Sequence, residues 1–251
     1  MNVWSQIYEA PALLTKELGH RRIYAPAAYR QVRALSLVPI VHTEVFDLAA
    51  LFPTCWTMTP EGPELMALRS LLSDGSAMPG GEKAGLTVLP LAFQAYPFVV
   101  PHGEVAASEA VLVDLAIADQ PSDIGAPIIM ADGQPARATL TRARLALQTG
   151  GVLGVTRALS QFAHEEGLLE PWPLKFELGD GESVDIDGLM VLSRARLEAP
   201  GVRKAIRAFG VEAGLFFSAH RLSLFRISGL LSAARAVVAA RKREVSRQAA
   251  A

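Results

Sequence analysis

A change of period near residue 139 is what most constrains this chain. From Thr139 to Glu166 the apolar residues Leu140, Leu145, Val152, Val155, Leu159 and Phe162 recur at helical spacing, the rhythm of a helix with one buried stripe. Ahead of it the apolar residues come in shorter runs, at 34–41, 54–59, 65–72 and 111–118, separated by proline and glycine. Runs of that length suit buried strands. The segment 86–100 contains Leu89-Pro90 and Tyr96-Pro97, so it reads as an interrupted apolar stretch, because proline removes a helix hydrogen bond and clashes with the preceding turn.

The second half adds its own signals. Residues 174–178 and 183–191 alternate apolar and polar around Gly179-Asp180-Gly181, and Asp-Gly supplies the positive φ of a tight turn. After Pro200 a short helix (202–209) meets Gly210, and a long one is predicted over 211–245. Its stripe is Phe216, Phe217, Leu224, Ile227, Leu231 and Val238, with arginines between. The sum is an α+β fold: a short-stranded mixed or antiparallel sheet, a β-hairpin near 174–191, and packed helices near 139–166 and 211–245. Gly150-Gly151 is expected to break or bend the first of these helices. Thr43 is expected to cap a short helix that turns Phe46, Leu48 and Leu51 inward and stops at Pro53. Trp172, between two prolines, is expected to be largely buried. The division that follows is an irregular amino-terminal arm (1–34, with a helical turn around 12–18), an α+β domain (35–232) and a basic helical tail (233–251).

Half the residues (51%) are hydrophobic, which excludes a disordered chain. A single cysteine, Cys55, allows neither an internal disulfide nor a thiolate zinc site. Beside Trp56 it reads as an inert buried thiol. The first residues lack an apolar signal core and carry Glu9 and Glu17, and no run reaches about 18 uninterrupted apolar residues. The expectation is a cytoplasmic protein without a spanning helix, export without an amino-terminal signal being the alternative.

The net charge of −1 hides a split. From Val202 onward ten basic residues face only Glu212 and Glu244, which makes that segment +8 and leaves −9 for residues 1–201. Such asymmetry means complementarity within the fold or an acidic protein partner, the former being the plainer account. Peripheral contact with anionic lipid is a further reading of a basic amphipathic helix. Nucleic acid is not expected, because stacking aromatics are absent beyond Phe225 and no recognition motif is present. Arg241, Lys242 and Arg243 are the candidate partner-binding residues of the tail.

One spacing points to metal chemistry. His102-Gly103-Glu104, with His164 or His220 as a third ligand, has the elements of a non-haem iron facial triad. The plainer reading is a loop histidine beside a surface glutamate, with no cofactor. His220 and Ser223 lie three apart on a predicted helix, which is not a catalytic arrangement without an orienting acid and an oxyanion site. The acidic residues Asp180, Glu182, Asp185 and Asp187 lack the calcium-loop spacing and read as a solvated turn.

Four segments in order resemble the SapC-like family, surface-layer-locus-related proteins of proteobacteria. They are Val38-Pro39-Ile40-Val41 with Glu44; Gln94-Ala95-Tyr96-Pro97-Phe98-Val99; Leu168-Leu169-Glu170-Pro171 with the hairpin and Gly188-Leu189; and Ala219-His220-Arg221-Leu222-Ser223-Leu224. The resemblance spans roughly residues 35–232. It implies a non-catalytic binding or assembly protein associated with surface-layer or TonB-dependent outer-membrane uptake systems, and it marks Tyr96, His220 and Ser223 as candidate binding residues. The alternative is a metal-dependent, non-haem-iron-type oxygenase using His102 and Glu104.

Overall fold

A computed structural model describes residues 2–81, 85–103, 110–179, 181–196 and 200–249. In chain order the strands are β1 (Pro11–Leu13), β2 (Arg22–Ile23), β3 (Leu37–Pro39), β4 (Thr54–Thr59), β5 (Gly62–Leu68), β6 (Leu112–Asp114), β7 (Ala126–Pro127), β8 (Leu169–Pro171), β9 (Leu174–Gly179), β10 (Glu182–Ile186) and β11 (Leu189–Leu192). The helices are α1 (Arg30–Ala34), α2 (Val45–Leu48), α3 (Leu91–Ala95), α4 (Arg137–Glu165), α5 (Pro200–Phe209), α6 (Val211–Ser223) and α7 (Ile227–Ala249). A 3₁₀ turn, Leu224–Arg226, joins the last two.

Strands β3, β5, β4, β11 and β8, in that order, make an antiparallel five-stranded sheet. The β4–β5 hairpin sets its register, pairing Cys55 with Met66 and Trp56 with Leu65. Successive side chains on a strand point to opposite faces, so this register gives the sheet two cores. Trp56, Leu65 and Ala67 pack with Leu159 and Ala163 of α4, Ala205 of α5 and Phe216 and Phe217 of α6. Cys55, Met66 and Leu68 pack with Leu174, Leu178 and Val184 of the β9–β10 hairpin and with Leu230, Ala234 and Val238 of α7. A third cluster gathers Trp4, Ile7, Tyr8, Tyr29, Phe93, Tyr96 and Phe98 around Ala146 and Leu153 of α4. The architecture is α+β, with antiparallel strands, the expected hairpin and helices over both predicted stretches.

Several expectations are corrected. The amino-terminal residues are not a loose arm, since Trp4, Ile7 and Val32 are fully buried. The predicted turn at 12–18 is instead β1 and a 3₁₀ helix, Lys16–His20. Thr43 caps nothing; a 3₁₀ helix, His42–Glu44, leads into α2, and Glu44 rather than Thr43 supplies the end contact, accepting from the Val41 N–H at 2.8 Å. Leu48 turns inward while Phe46 faces solvent. Trp172, by contrast, is for the most part buried as expected, packed against the core beneath the hairpin.

Helix α4 runs unbroken through Gly150-Gly151. Gly150 is there for close approach, because a Cβ at that position would sit 2.8 Å from Cδ of Pro101. The buried stripe of α4 follows the predicted one only in part. It is Thr139, Ala146, Thr149, Leu153, Thr156, Leu159, Ser160 and Ala163; of the predicted residues Leu159 is buried, Leu145, Val152 and Phe162 are partly buried, and Leu140 and Val155 are exposed. Hydroxyls can line this face because each has a partner. Thr149 and Thr156 donate to the carbonyls of Leu145 and Val152, Thr139 donates to Ile128 O, and Ser160 accepts from Trp56 Nε1 at 2.9 Å. Small side chains bring the helix close to the sheet; satisfied polar groups make that burial tolerable.

The tail beyond residue 233 is held against the fold for several turns. Ala234 is fully buried, Val238 nearly so, and Arg235 donates to Glu177 O at 2.9 Å through Nη2.

Candidate functional site

The family-signature residues His220 and Ser223 lie on the inner face of α6, fully buried under β4 and β11. Nε2 of His220 accepts from the Leu192 N–H at 3.0 Å, which puts the ring proton on Nδ1, and Nδ1 donates to Thr54 Oγ1 at 2.9 Å. Ser223 Oγ donates to His220 O at 2.6 Å and accepts from the Thr54 N–H at 2.9 Å. The Thr54 hydroxyl closes the ring on Ser223 Oγ at 3.1 Å. Arg221 adds a bond from Nη1 to Leu192 O at 2.8 Å. Burial, with the Arg221 charge nearby, pushes the His220 imidazole down to about 3. The signature is therefore a neutral polar clamp that bolts α6 to two central strands. Every proton and lone pair that a ligand would use is already engaged.

Tyr96 is equally buried. Its hydroxyl donates to Asp114 Oδ2 at 2.9 Å, and the same carboxylate accepts from the backbone N–H groups of Glu9, Ala10 and Ala116 at 2.8, 2.9 and 3.1 Å. Tyr29 meets the Tyr96 ring edge-on at 4.7 Å between centroids. Burial and then the Asp114 charge hold the Tyr96 phenol in its protonated form. This network ties the amino-terminal segment to β6. Glu44, another residue of a family-like segment, is buried and bonds Leu91 N–H through Oε2 at 2.6 Å. Burial pushes its carboxyl up to about 7 despite the two backbone donors.

The iron candidates do not assemble. His102 donates from Nδ1 to Val100 O at 2.7 Å and meets Ser5 Oγ through Nε2 at 3.3 Å, packed between Trp4 and Tyr8. Burial lowers its basicity. His164 stands on the exposed side of α4 and His220 is locked in the clamp. Glu104 lies outside the described residues. Among the described residues no three histidine, cysteine or carboxylate side chains are placed to hold a metal ion. Cys55 is buried, its thiol pushed up to about 12 by burial, which makes it unreactive.

The tail residues lead to a cleft instead. A 540 Å³ hollow is lined by Leu37, by the 68–74 segment, by all five residues of β10 and by Arg241. It adjoins a 390 Å³ hollow lined by Leu72, Glu182, Val238, Arg241, Lys242 and Val245. Arg241 stands between the two, paired with Asp74 and bonded to Ser76 Oγ at 2.9 Å. Among the described residues β10 pairs only with β9, so its other edge presents backbone donors and acceptors that no strand takes. Asp185 is neutralised by Lys175 at 3.0 Å across the hairpin. Arg243 bonds its own helix, at Ala239 O.

Sequence reasoning thus picked out two cleft residues, Arg241 and Lys242, but not what they face. The signal that could have found it was the polar alternation of 182–186 beside a long basic helix. Neither a curated protein nor a solved structure matches the chain. The family model described as SapC matches residues 14–226, beginning well before the segment in which the resemblance was legible and ending just short of α7. By that match over most of its length, the chain belongs to the SapC family.

Proposed function

We propose that the chain is a non-catalytic binding or assembly protein that receives an extended segment of a protein partner along β10, in surface-layer or TonB-dependent outer-membrane uptake systems. The observation that carries this reading is the cleft flanked along one whole wall by an unpaired strand edge. Extended peptides bind such edges through main-chain hydrogen bonds, with side chains giving selectivity. Arg241, held by Asp74, and Lys242 border the mouth, and an acidic group on the segment would meet Lys242 there. Glu182 on β10 is a charge of the kind that keeps an open edge from pairing indiscriminately. The reading has no cofactor, no nucleic acid and a cytoplasmic setting.

The oxygenase alternative gains no observation, because the ring nitrogens of His102 are both engaged by Val100 and Ser5. In-cell photo-crosslinking from position 183 tests the proposal. It should yield a discrete partner adduct that Lys242→Glu weakens and that a probe at Leu147, on the outer face of α4, does not give. No adduct from position 183, or equal adducts from both positions, would overturn it. Stoichiometric iron with turnover abolished by His102→Ala would restore the enzyme reading.

A further inference from the structure

Helix α6 is apolar on the side that does not touch the sheet as well as on the side that does. Val211, Leu215 and Leu222 of α6 and Phe225 of the 3₁₀ turn that continues it are 67%, 53%, 61% and 77% exposed, and Phe46 of α2 beside them is 72% exposed. With Ser218 they recur at alternating four- and three-residue intervals, the seam of a helix that expects a second helix. Leu215 and Phe46 flank a 250 Å³ hollow floored by Phe216 and Ala219. A surface helix normally turns a polar face to water; this one does not.

We propose that this face is the interface of a two-fold homodimer in which α6 lies antiparallel to α6 of a second copy. The seam is self-complementary about Ser218. Val211 and Phe225 stand seven residues to either side of it, so antiparallel pairing sets the small side chain of one copy against the large one of the other. Leu215 falls near Leu222 of the second copy, and Ser218 meets its own equivalent. Charge points the same way. Glu212 lies exposed at one end of the face, and Arg226 lies exposed at the other. Antiparallel pairing brings the acidic end of each copy to the basic end of the other, whereas parallel pairing would set like against like.

The same acidic end argues against a lipid surface. The helical run Val211–Gln248 is long and apolar enough by composition to cross a membrane. Membrane-surface helices, however, surround their apolar face with lysine and arginine, whereas here Glu212 borders one end and Arg226 the other. An interface of standard size takes about 800 Å² from each partner, and these five side chains supply its apolar centre. The dimer would leave both β10 clefts open, because α6 covers the opposite face of the sheet.

Sedimentation equilibrium of the full chain over a wide concentration range tests the proposal. The expected result is a reversible dimer whose Kd rises about 100-fold or more in Leu222→Glu, from about 3 kcal/mol of lost burial and new desolvation. Glu212→Arg and Arg226→Glu should each weaken it, and the double reversal should restore it. Ser218→Cys should form an interchain disulfide under mild oxidation, a readout that survives if Leu222→Glu fails to fold. A wild-type chain monomeric throughout, a dimer indifferent to Leu222→Glu with no Ser218→Cys crosslink, or a double reversal no better than the singles overturns the proposal. So does a monomer that sediments with phosphatidylglycerol vesicles through Leu222, which would assign the face to lipid.

Discussion

Replacing His220 by glutamine separates a structural clamp from a binding site, because the clamp has a definite pH signature. In the folded chain the imidazole is held neutral down to about pH 3, while in the unfolded chain it titrates at its ordinary 6.5. Between those values the unfolded state binds the extra proton, so this group contributes stability that is fully present above 6.5 and is lost as pH falls. Each unit costs about 1.4 kcal/mol, so by pH 4 the wild type has lost roughly 3 kcal/mol through His220 alone. Glutamine does not titrate, but it cannot reproduce both ring contacts, and one buried partner, Leu192 N–H or the Thr54 hydroxyl, goes unmet. That costs about 2 kcal/mol at pH 7. The two stability curves should therefore cross, with the variant weaker at pH 7, equal near about pH 5 and stronger at pH 4. Urea unfolding followed by tryptophan fluorescence at each pH reads the difference, and the other titrating groups cancel in it. A gap that stays constant from pH 7 to 4 would refute the reasoning, since it would mean His220 protonates freely in the folded chain. Full stability at pH 7 with loss of partner capture would make the signature a binding site after all.

Glu44 has the opposite sign. Its carboxyl, raised from 4.5 to about 7, contributes stability below pH 4.5 that is lost as pH rises through 7, so Glu44→Gln should flatten a decline of about 3 kcal/mol over that interval, measured by the same urea series. The adjacent glycines of α4 should respond oppositely: Gly151→Ala, with nothing within 4 Å, should gain up to about 1 kcal/mol of helix propensity, whereas Gly150→Ala should lose more than that against Pro101, as melting temperatures would show. Removing residues 233–251 should strip Ala234 and Val238 from the hairpin and cost about 2–3 kcal/mol, with a rise in binding of a hydrophobic dye; an unchanged chain would mean that the tail is an appendage.

The sequence made the gross architecture legible because chain period is a direct imprint of burial. The change near residue 139, the β9–β10 hairpin and the Phe216–Phe217 stripe all lie where the pattern placed them, Asp180 itself lying outside the described residues. What escaped was whatever breaks the equation of apolar with buried. The inner face of α4 mixes threonine, serine and alanine with Leu153 and Leu159, so a reading by large apolar residues found Leu159 but also took in the exposed Leu140 and Val155 and passed over the hydroxyls. The amino-terminal segment looked irregular because its order comes from contacts distant in sequence, such as Asp114 with Glu9 and Ala10. His220 and Ser223 were visible as a motif, but only the fold reveals that Thr54, remote in sequence, occupies both of them. The basic tail was divided too early, at 233, because Arg235 and Arg241 find their partners on the hairpin and on the 74–76 loop.

The length of α4 has a further consequence. Its 29 residues make a rod of about 43 Å, and the rod forms a wall of both the Trp4–Tyr96 cluster and the Trp56–Phe217 cluster. Neither cluster can come apart without exposing one half of a helix whose other half is still clasped. The two should accordingly melt as one: a single calorimetric peak, with the slowest-exchanging amides in the middle turns of the shared rod, around Leu153, rather than in either cluster's own loops.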